Sequence, residues 1–140
     1  MASVAGLMWI AAQVVAVAGF PIPARQAFAI GLAAVGAGVA MAGVVSFRLA
    51  KTTVNPLKPA AASSLVVSGI YHVTRNPMYL GALLVLIGWA VFLANALAFA
   101  FSVTFVLYLN RFQIAPEENA LTTRFGSEFS AYCAKVRRWI

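Results

Sequence analysis

Four apolar stretches run through the chain, and the polar residues between them gather in a few short clusters. No charged residue lies between Ala2 and Pro21, which predicts a first membrane span at about 3–20, near the roughly 20 residues needed to cross a bilayer. Pro21-Ile22-Pro23-Ala24-Arg25 interrupts it, and a second span follows at about 27–47. This second span is rich in small residues: Ala34, Gly38 and Ala42, and likewise Ala29, Ala33 and Ala37, recur at every fourth position. Such spacing lets helices approach closely in lipid, either inside one bundle or along a homodimer seam.

Residues 48–77 are polar, with prolines at 56, 59 and 77 and four basic residues, although 60–70 is apolar enough to rest at the membrane interface. Met78 to Asn110 then runs 33 residues without a charge. A single helix of that length would measure roughly 50 Å, well beyond a hydrocarbon core of about 30 Å. Two short spans joined near Asn95, at about 78–94 and 96–110, fit better.

Past Arg111 the apolar run ends, and Pro116 followed by Glu117 and Glu118 reads as a helix start, because proline suits the first turn and acids favour its positive end. Leu121, Phe125, Phe129, Tyr132, Val136 and Trp139 then share one stripe of a 3.6-residue helix, with Gly126 as a kink. The pattern predicts an all-α integral membrane protein of one domain. It has four transmembrane helices and a cytosolic amphipathic helical segment at about 116–138.

Composition agrees with this reading. Hydrophobic residues make up 63% of the 140 positions and charged residues 9%, too apolar for a water-soluble globule of this size. Cys133 is the only cysteine and has no Cys or His neighbours at metal-ligand spacing, so no disulfide scaffold and no metal site is indicated. The net charge of +7 does not point to nucleic acid, because the basic residues flank apolar runs. Four spans place nine of the ten Lys and Arg residues on one side, with only Arg25 opposite, whereas three spans would divide them. The positive-inside rule therefore favours four spans with both ends of the chain and both polar clusters in the cytoplasm. Ala16-Val17-Ala18 matches a signal cleavage site, but no basic segment precedes it, so a retained first span is expected. The expected location is a bacterial or archaeal inner membrane.

The chemistry sits in two clusters. The first runs from Gly69 to Gly81 and holds Tyr71, His72, Arg75, Asn76, Pro77 and Tyr79; the second holds Glu117, Glu118, Leu121 and Phe125. Arg75 has two uses, binding lipid phosphate at the membrane edge or fixing a carboxylate bidentately. Tyr71, His72 and Tyr79 are interfacial belt residues or part of a site. Glu117 and Glu118 satisfy a helix N-terminus, or one of them faces a cationic ligand while the other meets water or an arginine. Adjacent helical residues point about 100° apart.

Arg75-Asn76-Pro77-Met78-Tyr79-Leu80-Gly81 and Glu117-Glu118-Asn119-Ala120-Leu121 resemble the paired motifs of the membrane-embedded methyltransferases related to isoprenylcysteine carboxyl methyltransferase and phospholipid N-methyltransferase. The resemblance covers about half the chain, and departs from the family in Asn76, which stands where a His is usual. It implies S-adenosylmethionine as cofactor, held at the cytoplasmic edge by His72, Asn76, Pro77, Tyr79, Gly81, Glu117, Glu118, Leu121 and Phe125, with a lipophilic acceptor entering from the bilayer. Arg75, with Arg111 in reserve, would orient an acceptor carboxylate, and Glu117 or Glu118 would act as base toward an amine. An amide at position 76 keeps a hydrogen bond but does not titrate.

Two other classes compete. A small four-helix transporter normally places an ionisable residue within a span, and none of the predicted spans contains one. A non-enzymatic assembly subunit would use the small-residue stripe of the second span equally well.

Overall fold

The computed structural model describes residues 1–15, 21, 23–50 and 64–140. Helix α1 covers Ala2–Val14, α2 Arg25–Leu49, α3 Pro77–Leu93, α4 Ala96–Tyr108, α5 Ala115–Phe125 and α6 Ser127–Lys135; a short 3-10 turn spans Gly69–His72 and a π-helical turn Leu109–Ile114. The chain forms two compact units. The first combines Met1–Gly38 with Gly81–Tyr108, and the second Val39–Leu80 with Leu109–Ile140.

In the first unit α1 packs on α4, and the Trp89 indole donates to the Ala5 carbonyl at 3.1 Å. The break expected near Asn95 is present, and side-chain chemistry explains it. Ala94 leaves the helix with φ of 49°. Asn95 then caps α4, its Oδ1 accepting the Leu97 N–H at 3.0 Å while its Nδ2 donates to the Val15 carbonyl at 3.0 Å. An N-cap acceptor of this kind satisfies a helix donor that would otherwise lack a partner.

Among the described residues two helices are long and apolar enough to cross a membrane: Arg25–Leu49, and the continuous helix Ala96–Phe125. Ala2–Val14 and Pro77–Leu93 are apolar but shorter. Only 17% and 22% of the two long apolar windows is buried, so these are not the core helices of a soluble globule. Phe28, Ile30, Val35, Met41 and Leu49 are all exposed along α2, as lipid-facing residues would be. Positions 16–20 of the first expected span, with the cleavage match at 16–18, Ile22 of the proline break and 60–63 of the interfacial segment, lie outside the described residues.

Three expectations change. No new helix starts at Pro116, because α4 passes through the π turn into α5 without a break. A proline inside an α-helix lacks a donor and crowds the carbonyl four residues earlier, here Phe112; a wider turn just before it accommodates both defects. Next, the amphipathic segment is two helices. Gly126, with φ of 50° and ψ of −119°, ends α5 in a conformation that residues with a Cβ rarely adopt. Helix α6 stops at Lys135, so Val136 and Trp139 sit beyond it.

The third concerns the small-residue stripe of α2. Ala34 and Gly38 are exposed, and a Cβ built on Gly38 meets nothing within 4 Å. Ala29, from the other expected row, is buried, as is Gly36 from neither row, and a Cβ on Gly36 would lie 2.6 Å from the Gly81 carbonyl oxygen of α3. Backbone touches backbone there, which only glycine permits.

Gly36→Ala should lower the stability of the detergent-solubilised protein by about 1–3 kcal/mol, the usual cost of overpacking. Gly38→Ala should leave it unchanged or raise it by up to about 1 kcal/mol through helix propensity. Thermal unfolding of the two variants side by side checks this.

Candidate functional site

Apart from Gly81, both polar clusters fall within the second unit, and its packing brings them together. Val66, Tyr71, Phe129, Tyr132 and Val136 form a buried core against which Phe47, Ile70, Leu121, Phe125 and Cys133 pack. The Phe47 and Tyr71 rings meet edge to face, 5.4 Å apart. The Tyr132 hydroxyl donates to the Tyr71 carbonyl at 2.7 Å, fixing α6 to the 3-10 turn. Burial pushes the Tyr132 hydroxyl up to about 12 and Tyr71 well above its ordinary value, so both stay neutral donors at physiological pH.

On this base Pro77 opens α3, buried against α2: a Cβ on Gly43 would lie 3.0 Å from its ring. Thr74 and Asn76 precede or flank that first turn, the Thr74 hydroxyl accepting the Asn76 N–H at 3.2 Å. Arg75 projects from between them toward α5 and α6. Its Nη2 lies 3.3 Å from Glu118 Oε1, and its Nη1 donates to the Cys133 sulfur. Glu118 also takes a two-pronged contact from Arg138, whose Nε donates to Oε1 at 3.2 Å and whose Nη2 donates to Oε2. A fork of this geometry is the strong form of an arginine–carboxylate pair. The Glu118 side chain is 19% exposed and that of Arg75 15%, whereas Arg138 is 37% exposed.

Glu117 is placed differently. The Tyr79 hydroxyl donates to its Oε2 at 3.2 Å, and the Gln113 side chain, from the π turn, reaches the same hydroxyl. Among the described residues no cation pairs with Glu117. It lies beyond the apolar part of the α4–α5 helix, and its pKa is raised, first by burial and then by the adjacent Glu118 charge, against the opposing effect of the Tyr79 hydrogen bond. The two neighbouring glutamates thus have opposite characters, one neutralised twice over and one half-buried without a counter-ion.

Arg75, Asn76, Tyr79, Glu117 and Glu118 therefore meet in one cluster. Leu121 and Phe125 serve the core beside it, and the Asn76 amide donates to the Arg138 carbonyl at 2.9 Å. His72 and Arg111 are exposed, and Gly81 belongs to the first unit, where its carbonyl receives Gly36. Sequence reasoning assigned no role in the site to Cys133, Thr74 or Arg138. The paired Arg137-Arg138 in an otherwise charge-poor chain was the available signal for the last; nothing in the local sequence marks the other two.

A sequence model of the phospholipid methyltransferase family matches residues 24–128, a stretch containing both polar clusters. An uncharacterized protein of Haemophilus influenzae is 48% identical over 63 residues, which is 45% of this chain and the whole of that protein. No solved structure matches the chain.

The contrast between the glutamates is measurable. A carboxyl whose folded pKa lies above its unfolded value binds its proton more tightly in the folded state, so stability falls as pH rises from about 4.3 through the folded pKa. Glu117→Gln should therefore be at least as stable as the parent at pH 7–8, with the difference vanishing near pH 4. Glu118→Gln should lose roughly 2–3 kcal/mol, discounted from the value for a fully buried pair because Arg138 is partly solvated. Unfolding of Glu117→Gln across pH, and of Glu118→Gln at pH 7, checks both.

Proposed function

Because the chain belongs to the phospholipid methyltransferase family, we propose that it is a membrane methyltransferase that takes a methyl group from S-adenosylmethionine and delivers it to a lipid-like or isoprenyl-like acceptor. The observation that carries this reading is Glu117, a half-buried carboxylate held by Tyr79 with no cation beside it among the described residues. Leaving such a group in place costs stability, and a cationic ligand would recover that cost. The residues fit the cofactor on this ground, since a sulfonium and an ammonium both need an anionic partner. Glu117 and Tyr79 would face it, while Glu118, Arg75 and Arg138 stabilise the helix from behind.

When bound, S-adenosylmethionine supplies an electrophilic methyl group. The protein's share of the work is then alignment and exclusion of water. The acceptor that this cluster suits is an amine. Arg75, the group a carboxylate acceptor would need, is already engaged by Glu118 and Cys133, whereas Glu117 has the raised proton affinity expected of a base. A carboxylate acceptor is the second reading, favoured by the exposure of Arg111 on the π turn.

The same reading places four spans in the membrane, with α1 and α3 as the two short ones, and sets the cluster at the cytoplasmic face where nine of the ten basic residues would gather. The bilayer then delivers the acceptor laterally. A transporter fits less well, since no acid or base interrupts 78–110.

Calorimetry with S-adenosylmethionine and S-adenosylhomocysteine on the detergent-purified protein tests the proposal. Micromolar binding is expected, weakened at least about tenfold by Glu117→Gln, the scale of one lost charge-assisted contact. No binding by a folded preparation in both detergent and lipid bilayers would overturn it.

A further inference from the structure

The segment after α6 takes no part in the proposed chemistry, yet it touches every element that does. Residues 136–140 are not helical, and Val136 anchors them in the aromatic core. Beyond that anchor the chain is tied at three places. The Arg75 N–H donates to the Arg137 carbonyl at 3.1 Å. The Asn76 amide and the Thr74 hydroxyl both donate to the Arg138 carbonyl, at 2.9 and 3.4 Å. The Arg138 guanidinium forks Glu118 on α5, and the Trp139 indole donates to Asn110 Oδ1 on the π turn at 3.1 Å.

We propose that residues 136–140 are a clasp that fixes the Thr74–Tyr79 segment in register with α5, with Arg138 as its positioning residue. The inference rests on the reading of Glu117 as the cation-facing acid. The two clusters are some forty positions apart, and their direct links are Tyr79 to Glu117 and Arg75 to Glu118. Both links join side chains that keep rotamer freedom, so by themselves they define the spacing loosely. The clasp adds contacts to backbone carbonyls, which have no such freedom, and uses donors at a helix entrance that lack intrahelical partners.

Arg138 is the residue that couples both sides. Its carbonyl holds the α3 entrance while its side chain holds Glu118, and the planar fork fixes the orientation of the carboxylate as well as its position. With Glu118 turned toward Arg138 and Arg75, the preceding residue on the helix, Glu117, is directed toward Tyr79. The clasp also accounts for Asn76: its amide is a tether to Arg138 in this chain. The family match covers residues 24–128, and the clasp follows it in the chain.

The test uses the full chain in detergent micelles, with Arg138→Ala, Arg138→Lys and Asn76→Ala, and two readouts: amide hydrogen exchange at residues 75–80 and affinity for S-adenosylhomocysteine. Arg138→Ala should speed exchange of the Arg75 amide at least about tenfold and weaken binding at least about tenfold, with helix content unchanged. Arg138→Lys keeps the charge without the fork and should recover only part of both. Asn76→Ala should move both in the same direction by less. Should Arg138→Ala fail to fold, Asn76→Ala and Thr74→Val carry the same test. Unchanged exchange and affinity in the folded variants would overturn the clasp, and full rescue by lysine would overturn the role of the fork. If the parent protein does not bind S-adenosylhomocysteine, the proposed function fails, while the exchange data still decide the clasp.

Discussion

Two guanidinium groups share the Glu118 carboxylate, and the weight of that interaction comes from where it lies. Arg75 and Glu118 are mostly withdrawn from water, so each would be costly if left without the other. Arg75 is further committed by Cys133, and its Nε is buried without a partner among the described residues. Such a group has little freedom to leave. The entrance of α3, the start of α5 and the end of α6 are consequently bound through one ion cluster, and the neighbouring Glu117 takes its direction from that arrangement.

The stabilised acid and the destabilised acid are covalent neighbours, and the contrast is the functional content of the pair. A protein selected for stability alone would pair or remove a half-buried carboxylate. Here Tyr79 holds it in place with a neutral hydrogen bond, enough to orient the group and too little to neutralise it. The cost is carried by the ion cluster and the aromatic core around it, which is how strained or unsatisfied groups persist at sites of ligand binding.

The π turn at Leu109–Ile114 links this site to the apolar part of the chain. The turn presents Asn110 and Gln113 toward Trp139 and Tyr79. Proline at 116 is compatible with an unbroken helix only because the widened turn precedes it.

The sequence determined what depends on composition and period: the helical character, the apolar runs, the interruption at Asn95, and the confinement of polar chemistry to two clusters. Those follow from local hydropathy and from cap residues, which act over a few positions. It also marked Arg75, Asn76, Tyr79, Glu117 and Glu118, since charged and hydrogen-bonding residues are rare in this chain. Only the tertiary structure decided which glutamate pairs with arginine, that Cys133, Thr74 and Arg138 join the cluster, that Ala29 and Gly36 pack where Ala34 and Gly38 do not, and that a π turn replaces a helix start. Each of these depends on contacts between residues distant in sequence, or on a backbone geometry fixed by them. Hydrophobic period cannot specify such choices, because it records which faces are apolar and not which partner each face meets.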